Sequence, residues 1–176
     1  MWKKLMLFVG VFLLVINSYA QTPTDGFTMS KGEVCTVLDK GGSFWTNYWE
    51  GNRYRNNPNI GRFSSQIWMP MLGYGFSSKL NLFAGLPYIS TRSTGGYMTG
   101  MKGWQDVQLE AKYRLVKKES KRGIAYVFLT AGISAPATDY VPDHLPFSIG
   151  LGTNNVTGRG IFHFEYKKGI FYTIQS

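Results

Sequence analysis

The chain has 176 residues, one cysteine, and 19 Lys and Arg against 10 Asp and Glu, a net charge of +9. That length fits one modest domain, and a lone cysteine excludes an internally disulfide-stapled module. The basic excess leaves nucleic acid, anionic lipid headgroups or acidic solutes as candidate partners.

The leader comes first. Lys3 and Lys4 precede an almost unbroken apolar run from Leu5 to Ile16. Ser18 and Ala20 place small residues at the −3 and −1 positions of a cleavage site before Gln21. This pattern predicts a secretory signal peptide over 1–20. The apolar run falls short of the ~20 residues that a membrane-spanning helix needs. Cys35 lies far beyond it, so a lipoprotein is not expected. The mature chain, 21–176, carries 17 basic against 10 acidic residues, or +7. Export makes nucleic acid the poorest of the candidate partners.

The mature chain shows no helical periodicity and reads as strands and turns. A first strand is expected over 31–39, with Val34, Thr36 and Leu38 opposite Cys35 and Val37. A long aromatic loop, 40–58, holds Trp45, Tyr48 and Trp49. The second strand covers 59–74, and 76–79 is a short turn. The third covers 80–90, with Leu80, Leu82, Ala84, Leu86 and Tyr88 on one face. A glycine-rich loop, 91–103, holds Tyr97 and leads to Trp104. In the fourth strand, Val107, Leu109, Ala111, Tyr113 and Leu115 alternate with Asp106, Gln108, Glu110, Lys112 and Arg114. Period two means one apolar and one polar face. A charged turn (117–122), a fifth strand (124–134) and a long proline-punctuated loop (135–155) follow, with 147–152 a candidate strand extension. The sixth strand spans 156–166, with Arg159, His163 and Glu165 on one face and Phe162, Phe164 and Tyr166 on the other. A tight turn, 167–169, precedes a seventh strand from Ile170.

Long and short connections alternate, as in outer-membrane barrels. Strands of about ten residues match what a tilted strand needs to cross hydrocarbon. Tyr74, Phe76, Tyr88, Trp104, Tyr113 and Tyr166 near the strand ends suit an interfacial girdle. Together with export, these features predict an all-β, antiparallel up-and-down transmembrane β-barrel in the outer membrane of a Gram-negative-type cell. Its partners would be outer-membrane lipid and the barrel-assembly machinery. The alternative is a secreted soluble β-sandwich that binds ligand.

The run Gly103-Trp104-Gln105-Asp106-Val107-Gln108-Leu109-Glu110-Ala111-Lys112-Tyr113-Arg114 resembles the G-x-x-D-[LV]-x-[LV]-x-x-K-Y-R strand of outer-membrane transporters filed with the meta-pathway phenol-degradation proteins. The stretch from Gly26 to Cys35, Tyr48-Trp49-Glu50-Gly51 and Leu86-Pro87-Tyr88 also resemble that family. The resemblance covers most of 26–166. It implies an antiparallel barrel carrying small, aromatic or otherwise apolar solutes, and supplies no catalytic residues. The chain departs from the family by ending within its seventh strand, at Ile174-Gln175-Ser176, without a terminal aromatic. Seven is an odd count for a single-chain bacterial barrel. The expectation is therefore a truncated barrel, present as an open, curled sheet.

If the apolar face of 107–115 meets lipid, Asp106, Gln108, Glu110, Lys112, Arg114, Arg159, His163 and Glu165 face the lumen. They would form a polar pathway that selects small solutes, or salt bridges that fill the barrel and hold its shape. A barrel without transport, holding a structural or surface-interaction role, follows from the second case. Trp45, Tyr48, Trp49, Tyr97 and Trp104 are candidates to capture an apolar solute in the loops, or to pack the girdle. Asp143, His144 and Ser148 share a loop, but adjacent Asp and His side chains do not point at a common site. No G-x-S-x-G elbow or H-E-x-x-H pair occurs, and Gly150-Leu151-Gly152 lacks the third glycine of a dinucleotide loop. No catalysis, cofactor or metal is expected. The basic residues are dispersed and do not form a nucleic-acid groove.

Overall fold

The computed structural model describes residues 21–167, 169 and 171–175; the signal-peptide expectation for 1–20 lies outside them. All regular structure among the described residues is β-strand: β1 (Val34–Trp45), β2 (Asn47–Glu50), β3 (Arg53–Asn56), β4 (Phe63–Gly75), β5 (Leu80–Gly85), β6 (Tyr88–Ser93), β7 (Lys102–Trp104), β8 (Asp106–Glu119), β9 (Gly123–Pro136), β10 (Asn155–Tyr166) and β11 (Phe171–Gln175). Apart from the small β2–β3 hairpin, they form one antiparallel sheet. β1 and β11 are its two ends, so the sheet is open and curled, a half-barrel.

The sheet is crossed by the chain in the seven passes that the alternation predicts, with the third and fourth each broken once. β5 and β6 both pair with β4, and the break between them falls at Leu86-Pro87. Proline has no N–H to give the ladder. The Pro87 carbonyl still accepts the Gln105 N–H at 2.9 Å, at the matching break between β7 and β8. Thus the expected third strand over 80–90 is two pieces and runs on to Ser93.

Other boundaries differ from expectation. β1 continues through Trp45, and the rest of the expected 40–58 loop contains the β2–β3 hairpin. That hairpin turns through Gly51, at φ 59, the positive-φ first position of a tight turn that glycine fills at least cost. β8 runs to Glu119 and β9 starts at Gly123, so the expected 117–122 turn shrinks to 120–122. The alternation in β8 also slips at its end. The register shifts between Arg114 and Val116, a bulge that leaves Leu115 and Val116 both exposed. The candidate strand at 147–152 does not form.

The two faces of the sheet are unlike. One carries Leu72, Tyr74, Leu82, Val107, Leu109, Tyr113, Leu129, Ile133, Val156 and Phe162, all exposed. Their opposite numbers in the ladder share that face: Leu72 pairs with Ala84, Ala84 with Leu109, Leu109 with Ile133, and Ile133 with Val156. The other face carries Asn81, Lys112, Thr130 and His163, all buried. It is covered from two directions. Residues 22–33 run over it near the short turns. The 137–154 loop folds back at the other end and buries Phe147 against Ile60 and Phe63, with Trp45 and Met101 beside them. Sequestering a phenylalanine is worth roughly 1.5–3 kcal/mol, which explains why this segment docks and does not extend a strand.

Candidate functional site: the covered polar face

The site is built by β5, β8, β9 and β10, which bring their polar positions to one side of the sheet. Lys112 is its centre. It pairs with Asn81 on β5 and Thr130 on β9, and its side chain is 0% exposed. An isolated buried ammonium is unfavourable unless it is paired and hydrogen-bonded. Here Nζ donates to Asp25 Oδ1 at 2.8 Å and to the Thr22 carbonyl at 3.0 Å, and lies 5.2 Å from the centre of the Phe128 ring. Asp25 in turn accepts from the Thr22 and Phe27 N–H groups.

The covering segment is fixed at further points. Asn81 clamps Met29 through both amide groups: Oδ1 accepts the Met29 N–H at 2.9 Å, and Nδ2 donates to the Met29 carbonyl at 3.2 Å. Arg114 donates to Thr28 Oγ1 at 3.4 Å. Gly32 N–H donates to the Gly75 carbonyl at 2.7 Å, and Gly75 N–H to the Glu33 carbonyl at 2.9 Å. A Cβ at Gly75 would strike the Ser30 carbonyl, and one at Gly26 would strike the His163 ring. Glycine at both positions is what lets the segment lie this close.

The expected lumen residues are distributed over this face as follows. Asp106 is buried and accepts from the Tyr140 hydroxyl at 2.5 Å, which ties the 137–154 loop to β8. Burial, reinforced by this hydrogen bond, raises the Tyr140 phenol above its ordinary pKa. Gln108 and Glu110 lie beside Pro23 and Phe83, and Glu110 faces Arg159 at 3.7 Å. Lys112 and Arg114 hold the covering segment. His163 Nδ1 lies 2.8 Å from Thr173 Oγ1 on β11. Glu165 is exposed at the rim.

The aromatics assigned to loops are placed differently. Trp45 ends β1 and stacks on Phe63 at 5.2 Å. Trp104 is in β7, edge-on to Tyr88 at 5.2 Å. Tyr48 and Trp49 lie in β2, with Trp49 5.2 Å from Tyr54. Tyr97 alone of the five sits in a loop, fully exposed. These five do not converge on one pocket. Asp143, His144 and Ser148 do not form a relay either: the His144 ring nitrogen lies 3.3 Å from the Thr99 carbonyl, and Ser148 Oγ donates to the Gly150 carbonyl.

Sequence reasoning missed Thr22, Asp25, Met29 and Asn81. Asn81 left a trace, being polar and out of phase with Leu80, Leu82 and Ala84's apolar face. The segment from 22 to 30 has no periodicity, because it is held by side chains and not by a ladder.

No family model, curated protein or solved structure matches this chain.

Proposed function

We propose that the chain is an outer-membrane β-barrel protein that passes small solutes, of the type its sequence resembles. The observation that carries this reading is the inverted distribution of polarity. A lysine is fully sequestered, while Leu109, Ile133 and Val156 are 48%, 57% and 84% exposed. A soluble sandwich would have packed that aliphatic face and given Lys112 to water. In hydrocarbon the arrangement is favourable, because the apolar band meets lipid and each backbone group of the interior strands is paired within the sheet. Trp68, Tyr88 and Trp104 are opposed in the ladder at one end of the band. Tyr74 and Tyr113 lie on the same face toward the other, in the manner of interfacial anchors. On this reading residues 1–20 are an export signal, and the mature chain begins at Gln21. The sheet is part of a wall, and its polar face lines a lumen.

The test uses a tryptophan placed at Leu109 or at Glu110 with the native tryptophans replaced, in vesicles of brominated lipid. Strong quenching at 109 and weak quenching at 110 is expected. Equal quenching, or none at either position, overturns the membrane reading. A second reading has its own support: residues 22–33 and the 137–154 loop fill much of the inner face. A filled interior suits a structural or surface-interaction barrel without transport. Liposome swelling with small neutral solutes separates the two.

A further inference from the structure

A cavity of about 320 Å³ opens between the covering segment and the ends of β9 and β10, lined by Gln21, Gly26, Phe27, Thr28, Tyr126, His163 and Glu165. Its volume lies at the small end of the range for ligand pockets. The lining is selective in its chemistry. Three rings converge: Phe27 to His163 at 5.3 Å and Tyr126 to His163 at 5.9 Å between centres. Two groups bear negative charge or a lone pair. Glu165 makes no salt bridge among the described residues, and Gln21 Oε1 is buried without a hydrogen-bond partner. No lysine or arginine among the described residues lines the space. The neighbouring ammonium groups of Lys112 and Lys117 are already matched by Asp25 and Glu119.

We propose that this cavity is a binding site for a small organic cation, a quaternary or protonated amine. Ring faces attract a cation through their quadrupole when it sits within ~6 Å of the ring centre. The Glu165 carboxylate supplies the long-range charge, and the Gln21 carbonyl supplies an acceptor for an N–H or an acidified C–H. An anion meets no positive side chain among the described lining residues, and the one positive group that cleavage before Gln21 would add is the backbone amine of Gln21 itself. A neutral apolar solute of the same shape gains the burial but leaves the carboxylate unanswered. The site is thus distinct in chemistry from the apolar solutes that the sequence resemblance implies. It does not depend on whether the barrel conducts.

The experiment is a calorimetric titration of choline into the full chain in non-ionic detergent, beside its neutral isostere 3,3-dimethylbutan-1-ol. Choline should bind saturably and the isostere about tenfold or more weakly, the ratio expected when the cation–ring and carboxylate contacts are both lost. Glu165→Gln, Phe27→Leu and Tyr126→Leu should each weaken choline by roughly three- to tenfold. Glu50→Gln, at the exposed ion pair with Arg55 in the β2–β3 hairpin, should not. An unchanged far-ultraviolet circular dichroism spectrum and unfolding transition show that each variant is folded. Equal binding of choline and the isostere, indifference to all three cavity variants, or no saturation through the millimolar range overturns the proposal. Each of those results leaves the lipid-quenching outcome untouched, so failure of the site and failure of the membrane reading are told apart.

Discussion

Asp25 and Lys112 stand 87 residues apart in the chain and meet at 2.8 Å on the inner face of the sheet. The contact joins a segment that lies outside any strand to β8. It also explains how a lysine with a fully sequestered side chain is tolerated. Breaking such a pair from one side is far costlier than removing both partners, because the remaining charge is stranded. Asp25→Asn should therefore destabilise by about 3–5 kcal/mol. The double variant Asp25→Asn with Lys112→Met should recover most of the loss. Urea unfolding midpoints in lipid vesicles measure both. A double variant as unstable as the single would mean that the pair is not the reason Lys112 is buried.

Gly75 tests whether residues 22–33 cover the inner face in the working protein. Its backbone exchanges hydrogen bonds with Gly32 and Glu33, and a side chain there would strike the Ser30 carbonyl. Gly75→Val should displace the segment while leaving the outward alternation of β4 intact. The expected signs are faster proteolytic cleavage between residues 22 and 33 and, if the barrel conducts, faster liposome swelling. Unchanged cleavage would place the segment's anchorage elsewhere.

At the other end of the sheet the Tyr140–Asp106 contact anchors the 137–154 loop. Burial first, and the hydrogen bond to Asp106 second, raise the Tyr140 phenol above the ordinary value, which is ~10. A raised value means that the folded state holds this proton more firmly than the unfolded state does. The stabilisation is therefore complete below the unfolded value and is lost as the pH climbs through the folded one. Proteolysis of the loop should accelerate above about pH 10. Tyr140→Phe should remove that alkaline step and cost about 1–3 kcal/mol at neutral pH, because it leaves Asp106 without its partner.

The strand pattern was legible because a two-residue period is a direct imprint of a sheet with unlike faces. Val107 to Arg114 shows it without interruption, and the ladder between β8 and β9 holds over those residues. The break at Pro87 was foreseeable from the missing N–H alone. The bulge at Leu115 was not, since an apolar residue in phase looks the same whether paired or extruded. The inner cover was also hidden. Asp25 and Tyr140 are ordinary loop residues in sequence, and only the curl of the sheet brings each to a partner on β8. In sequence Phe147 is only a candidate for a strand extension, because local composition cannot show that Ile60 and Phe63 pack against it across the fold.

The outward face gives the last prediction. Leu109 pairs with Ala84 and Ile133 in a band without a charged side chain. If this strand faces lipid, an arginine near its midplane costs roughly 2–4 kcal/mol, and Leu109→Arg should lower the unfolding free energy in vesicles by that amount. Its neighbour Glu110 points the other way, toward Arg159 at 3.7 Å. That separation is long for a charge-assisted hydrogen bond, and both side chains keep some exposure. Glu110→Gln should therefore cost less than about 1 kcal/mol. The comparison is decisive only when the solvent changes. In detergent micelles, which deform around a charge more readily than a bilayer, the Leu109→Arg penalty should shrink while the small Glu110→Gln cost stays the same. A Leu109→Arg penalty equal in micelles and bilayer would mean that residue 109 packs against protein, and the apolar band would need a protein partner in place of lipid.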